Sequence, residues 1–222
     1  MLAMRQILLG SRGAKLPYDA EVEYLESTGS EYIDTGVPFD SRALIYDCLM
    51  SISNGYVSVD WKDEFFGAMN SDGNGGTAMR CRKAGATPYG DLGFMDHPRA
   101  TNLGTVYDNG VLHMHLEDGL VWIKKDGAII ATRSGSGSNS RIPCGKNVWL
   151  FCGNNNNRAF RKATGMRLYG FTVTKNDETI QELIPVRVGS GASAVGYMYD
   201  RVSNMLLGND GTGAFAIGPN KS

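Results

Sequence analysis

The chain of 222 residues is short of several things that would announce a chemistry. It has four cysteines and three histidines, and its 22 basic residues nearly balance 23 acidic ones, leaving a formal net charge of -1. So small a net charge supplies no field to recruit nucleic acid or an anionic membrane. Cys48, Cys81, Cys144 and Cys152 show no C-x-x-C spacing and no partnered histidine pattern. That excludes the usual zinc arrangements and leaves free, mostly buried thiols as the expectation. No stretch of about 18 apolar residues occurs, so no membrane-inserting helix is expected. The glycine-rich segment Gly73-Asn74-Gly75-Gly76 lacks the G-K-[ST] ending of a phosphate loop, and G-x-S-x-G is missing.

Glycine is abundant, with 29 residues. It supplies the positive φ of tight turns, so the count points to short strands joined by many turns. Val111-Leu112-His113-Met114-His115-Leu116 alternates strictly and places Leu112, Met114 and Leu116 on one face. Asp118-Gly119 turns it into Leu120–Lys124, and Lys125-Asp126-Gly127 turns again into Ala128–Thr132. Val148–Gly153 and Gly165–Val173 read as two further strands, the first with Trp149 in the core. Ser134–Ser140 reads as a solvated loop.

Residues 1–17 stand apart as an arm. The only charges are Arg5, Arg12 and Lys15, with Ile7, Leu8 and Leu9 forming the longest apolar run. Three apolar residues fall short of the roughly 7–15 in an export signal, so the segment is expected to be retained. Too short to bury its own apolar groups, it is read as an anchor that docks on this domain or a neighbouring chain. Residues 18–222 form one domain.

Three motifs carry a family resemblance. They are Val22–Gly36 (VEYLESTGSEYIDTG), the meander around Asp118-Gly119 and Asp126-Gly127, and the closing Val195–Asn204 with Gly211–Phe215. In order and type these resemble laminin-G-like jelly-roll domains, with Val22–Gly36 as the opening strand. The resemblance implies a concanavalin A-like, all-β sandwich of two antiparallel sheets behind a short N-terminal arm. Such domains are frequent in bacteriophage structural proteins and in surface proteins of gut bacteria. A non-enzymatic virion protein is therefore expected, assembled in the host cytoplasm and attached through Arg5, Ile7, Leu8, Leu9, Arg12 and Lys15. Its expected partners are other virion proteins and further copies of itself, with host-surface glycans as a candidate ligand. The alternative is a carbohydrate-binding adhesin domain at a bacterial cell surface.

The candidate glycan contacts are Trp61, Tyr89, Asn154, Asn155 and Asn156. Rings stack on pyranose faces and amides bond hydroxyls, whereas the same asparagines also suit a plain hairpin turn. Trp122 is a further ring of the meander. Relatives of this sandwich that cleave glycosides use paired carboxylates. Glu21, Glu23 and Glu26 fit that pattern in E-x-E-x-x-E but lack a neighbouring tryptophan, and a solvated strand is expected. His113 and His115 lack a third ligand for zinc, and two polar groups on an exposed sheet face explain them more simply. The resemblance brings in calcium as the one cofactor to consider, with oxygen donors from Asp72, Asn74, Asp91 and Asp96.

Overall fold

The computed structural model describes residues 16–53, 64–70, 110–118, 120–134 and 143–222, with the backbone alone for 76–83, 90–94, 131 and 133–134. Strands follow in the order β1 (Ala20–Glu21), β2 (Leu25–Thr28), β3 (Ile33–Pro38), β4 (Ile45–Ile52), β5 (Glu64–Met69), β6 (Gly76–Lys83) and β7 (Gly90–Phe94). The meander is β8 (Leu112–Glu117), β9 (Leu120–Lys125) and β10 (Ala128–Ser134). Then come β11 (Asn147–Leu150), β12 (Gly153–Asn155), β13 (Arg158–Phe160), β14 (Thr164–Lys175), β15 (Glu178–Val188), β16 (Val195–Asp200), β17 (Met205–Leu207) and β18 (Ala216–Ile217).

They form the expected all-β jelly-roll sandwich. The larger sheet runs β10-β9-β8-β4-β14-β15-β16-β17, with β1 beside β15 and β2 between β14 and β18; the smaller runs β13-β12-β5-β11-β3, with β6 and β7 beyond β5. Alternation builds the layer between them. Tyr46, Cys48 and Met50 from β4 and Leu112, Met114 and Leu116 from β8 all point inward and are buried. Ile33, Phe66, Val148 and Leu150 meet them from the smaller sheet. Phe171 sits at the centre, edge-on to Phe66 at 5.6 Å and 6.4 Å from Tyr46.

Three hairpins close with two-residue turns whose central residues both have positive φ. They are Asp126-Gly127 (48° and 83°), Asn156-Asn157 (52° and 65°) and Asn176-Asp177 (51° and 63°). Asparagine, aspartate and glycine tolerate that region best, and its twist matches the flanking strands. Cys48, Cys144 and Cys152 are free and buried, as the composition suggested.

Two expectations need correction. Val22–Gly36 is not one strand. Gly29, at φ 106°, breaks it, sending Leu25–Thr28 into the larger sheet and Ile33–Pro38 into the smaller. Val148–Gly153 is not one strand either. Phe151 takes φ 66° while its N–H donates to Phe65 O and its carbonyl accepts from Ala163 N–H, both at 2.7 Å. The chain bends there, so β11 lies antiparallel to β5 but β12 parallel to it, the one parallel pairing among the described strands. Phe151, fully buried against Phe215 at 4.7 Å, is held in this unfavourable backbone region by packing on both sides.

Candidate functional site

The bend at Gly29 places a carboxylate where it organises the whole opening motif. Glu31 is buried, and its oxygens accept from Thr28 N–H (2.8 Å), Thr28 Oγ1–H (2.7 Å), Ser30 N–H (3.2 Å) and Ser30 Oγ–H (3.0 Å). Burial alone would push its pKa up. The donors outweigh burial and hold the carboxyl below the usual carboxylate range.

The closing motif packs directly on this turn. Asp210 N–H donates to Tyr32 O at 2.8 Å and Thr212 N–H to Ser30 O at 3.2 Å, while Asn209 Oδ1 accepts from Tyr32 N–H at 3.2 Å. Gly211 lies against the Ser30 carbonyl and Gly213, at φ 81°, against the Glu31 carboxylate, positions where any Cβ would collide. The first and last motifs are therefore one clasp.

On the outer face of the larger sheet, β4, β8 and β9 assemble a second polar cluster. Cross-strand register sets Asp47 opposite His115, and His115 opposite Trp122. Because an ionised carboxylate only accepts, His113 Nε2–H and His115 Nδ1–H both donate to Asp47 Oδ1, each at 2.9 Å. Trp122 stacks on His115 (centroids 4.6 Å, 6°) and meets His113 edge-on at 4.7 Å, while Lys124 Nζ lies 4.4 Å from its centroid. Half-buried Trp122 therefore spends its ring on protein neighbours and offers a ligand little free face. Asp47 was not singled out from sequence, since its histidine partners lie 66 and 68 residues away.

The cluster has a pH signature. Burial lowers the His115 pKa, but the Asp47 hydrogen bond and charge, with Glu117 Oε2 3.5 Å from Nε2, raise it to a net upward shift. A group with a raised folded pKa adds stability below its unfolded value, near 6.5, and loses that contribution as pH rises through the folded value. The difference in thermal midpoint between the wild type and His115→Gln should therefore be larger at pH 5.5 than at pH 8.5. Equal differences at both pH values would show that the imidazolium is not stabilised by its neighbours.

The remaining sequence candidates separate. Trp61 and Tyr89 lie outside the described residues, as do Arg5, Ile7, Leu8, Leu9, Arg12 and Lys15. Asp72, Asn74, Asp96 and most of the Ser134–Ser140 loop are likewise outside them, and Asp91 is described by backbone alone. Asn154 is buried; its amide donates to Asn147 O at 2.8 Å and accepts from Asn157 N–H at 2.7 Å. Asn156 forms the turn, its N–H donating to Met69 O at 3.0 Å. Asn154 thus shapes the hairpin from inside, with its amide engaged by backbone partners. Asn155 is half-buried.

The three carboxylates of E-x-E-x-x-E do not converge. Glu21 pairs with Arg201 (3.1 Å), Glu26 with Arg167 (2.7 Å), and Glu23 is exposed. Trp149 is buried as expected, but it stacks on Tyr32 (4.6 Å, 21°), away from the central layer. Among the described residues, no three His, Cys, Asp or Glu side chains are grouped to hold a metal ion.

At its other end the same outer face is apolar. Ile184 and Val186 on β15 and Tyr199 on β16 form a buried cluster separate from the central layer, flanked by Tyr18, Tyr197 and Leu206. Tyr18 meets Tyr199 edge-on at 5.0 Å, and Asp19 N–H donates to Arg187 O at 2.9 Å, pinning the chain where the sandwich begins. Leu16, just before it, is half exposed. This second cluster went unread in the sequence. Its signal was the unbroken apolar run Leu183-Ile184-Pro185-Val186, apolar on both faces of one strand.

No protein-family model matches the chain, and no curated protein matches it. Among solved structures it is similar to domains LG4-5 of the mouse laminin alpha1 chain, with a TM-score of 0.48 and 6% identity, covering 83% of this chain and 49% of that one. The chain thus spans about half the length of that laminin fragment. It is also similar to Scytalido-glutamic peptidase solved with a peptide-based transition state analogue, with a TM-score of 0.41 and 11% identity, covering 80% of this chain and 98% of that one.

Proposed function

We propose that the protein is a non-enzymatic assembly module of a bacteriophage particle, a closed sandwich attached through residues 1–17 to other virion proteins and to copies of itself. The observation that carries this reading is the exit of the chain. Tyr18 and Asp19 are fixed on the outer face of the larger sheet, and half-exposed Leu16 precedes them, so the basic, apolar segment joins the sandwich at that face. The resemblance of the clasp motifs to jelly-roll domains of phage structural proteins supports the same reading. A rigid body with a short adhesive tail suits decoration of a capsid or a place in a fibre.

The test is retention on particles. Virions banded from a lysate of cells carrying the gene should contain the full chain, whereas a version starting at Tyr18 should stay in the soluble fraction. Absence of both from the particles would overturn the reading.

A second reading, a glycan-binding adhesin domain, draws support from rings and polar groups sharing the outer face. Tyr24 and Tyr169 meet edge-on at 5.7 Å, Arg167 lies over Tyr24 at 4.7 Å, and Tyr169 OH bonds Ser51 Oγ at 2.9 Å. It predicts saturable binding on a glycan array by the chain from Tyr18 onward, weakened about tenfold by Tyr169→Ala, as loss of one stacking contact implies.

A further inference from the structure

The larger sheet ends in a unit attached by a single seam. Strands β8, β9 and β10 are joined by local hairpins. Among the described strands β4 alone links them to the rest, in a register that runs from Tyr46 opposite Leu116 to Met50 opposite Leu112. Contiguous motifs of this kind open together, at less cost than the whole molecule. Inward, Leu112, Met114, Leu116, Val121 and Ile123 pack the unit into the central layer. Outward, two side-chain hydrogen bonds cross the seam among the described residues. They run from His113 Nε2–H and His115 Nδ1–H to one oxygen, Asp47 Oδ1, each at 2.9 Å.

Few charges surround that oxygen. Asp47 is half-buried, and the two imidazoles are its ion-pair partners among the described residues. On their own strand, Glu117 Oε2 lies 3.5 Å from His115 Nε2. From β9, Lys124 stands opposite His113 and holds its Nζ 4.4 Å from the Trp122 centroid. Next along the sheet, β10 sets Thr132 opposite Trp122 and Ile129 opposite Lys124, while β14 sets Thr172 opposite Asp47. None of these three carries a charge. A protonated His115 therefore compensates the carboxylate through a charge-assisted bond, roughly twice as strong as a neutral one. Without that proton the half-buried carboxylate keeps a donor but loses the counter-charge.

We propose that Asp47, His113 and His115 form a proton-dependent latch on the β4–β8 seam. With His115 charged, the β8–β10 unit stays closed on the sheet. Without that proton the unit opens more often and carries Trp122 and Lys124 with it. Burial draws the His115 pKa down, but Asp47 and Glu117 outweigh it and raise it overall. Burial draws the Asp47 pKa up, but the two histidines outweigh it and lower it overall. The latch is thus fully present below about pH 6.5 and is lost as pH rises through the folded His115 value, with Asp47 ionised throughout. The outer face around Trp122 is held firmly in mild acid and loosely in mild alkali.

The test is amide hydrogen exchange of the full chain at pH 5.5 and pH 8.5, expressed as protection so that the pH dependence of exchange itself cancels. Amides of β8 and β9 should be less protected than those of β15. They should also lose protection less steeply in low urea, as an opening smaller than the global one requires. Their protection should fall about fivefold from pH 5.5 to pH 8.5, as loss of charge assistance on one hydrogen bond implies. Asp47→Asn, which removes the carboxylate charge, should abolish that fall. So should His115→Gln, which keeps a donor that does not titrate, and this variant decides alone if Asp47→Asn does not fold. Exchange of β8 and β9 with the protection and urea slope of β15 would overturn the proposal, because the unit would then open only with the whole molecule. A wild type without the fall, or an undiminished fall in His115→Gln, would overturn it equally.

Discussion

Replacing Glu31 by alanine should destabilise the fold by about 3 kcal/mol, because four donors would be left facing a buried gap. The effect should appear as a lower urea midpoint at unchanged slope. Glu31→Gln should also be destabilising, since its amide would turn a donor towards hydroxyl and backbone donors. The carboxylate carries a pH signature of opposite sense to that of His115. Its folded pKa is depressed, so its contribution is present above the unfolded value, near 4.3, and is lost as pH falls through the folded value. Part of the acid unfolding of the wild type should therefore be missing in Glu31→Gln. A midpoint for Glu31→Ala within about 0.5 kcal/mol of the wild type would mean that the clasp does not hold the sheets together.

Gly211→Ala should cost about as much, roughly 2–3 kcal/mol, from the other side of the same clasp. The new methyl would fall inside contact distance of the Ser30 carbonyl oxygen and close to the Glu31 Cα. Neither neighbour can yield easily. Ser30 O accepts from Thr212 N–H, and Tyr32 O from Asp210 N–H. Gly170→Ala is the control, for there the methyl meets the Leu183 carbonyl oxygen at an ordinary 3.5 Å. That substitution should be neutral or slightly stabilising. Equal behaviour of the two variants would show that the closing motif does not press on the opening one. A double variant, Glu31→Ala with Gly211→Ala, should lose less than the sum, because both act on one contact.

The sequence revealed the fold where local rules govern it. The first two strands of the meander, Leu112–Glu117 and Leu120–Lys125, follow period-two alternation, and the Asp126-Gly127 turn takes positive φ, so they were legible almost residue by residue. Phe151 was not legible, because a non-glycine at φ 66° is tolerated only under packing from Phe65, Ala163 and Phe215. The opening motif was recognised as a unit, yet its division between two sheets depends on Glu31 bonding back to Thr28 and Ser30, which periodicity does not encode. The site was less legible than the fold for the same reason. Asp47 joins two histidines across strands far apart in sequence, and Asn154 resembles a ligand contact in sequence but is spent inside a hairpin. The outer apolar strip was written in the two-faced strand Leu183–Val186, where the run itself pointed to a second cover.

The most direct test of arm-driven assembly is the solution mass, by light scattering, of the full chain and of a version starting at Tyr18. The account predicts a multiple of 24.0 kDa for the full chain and a single folded chain without the arm. The same mass in both would contradict it.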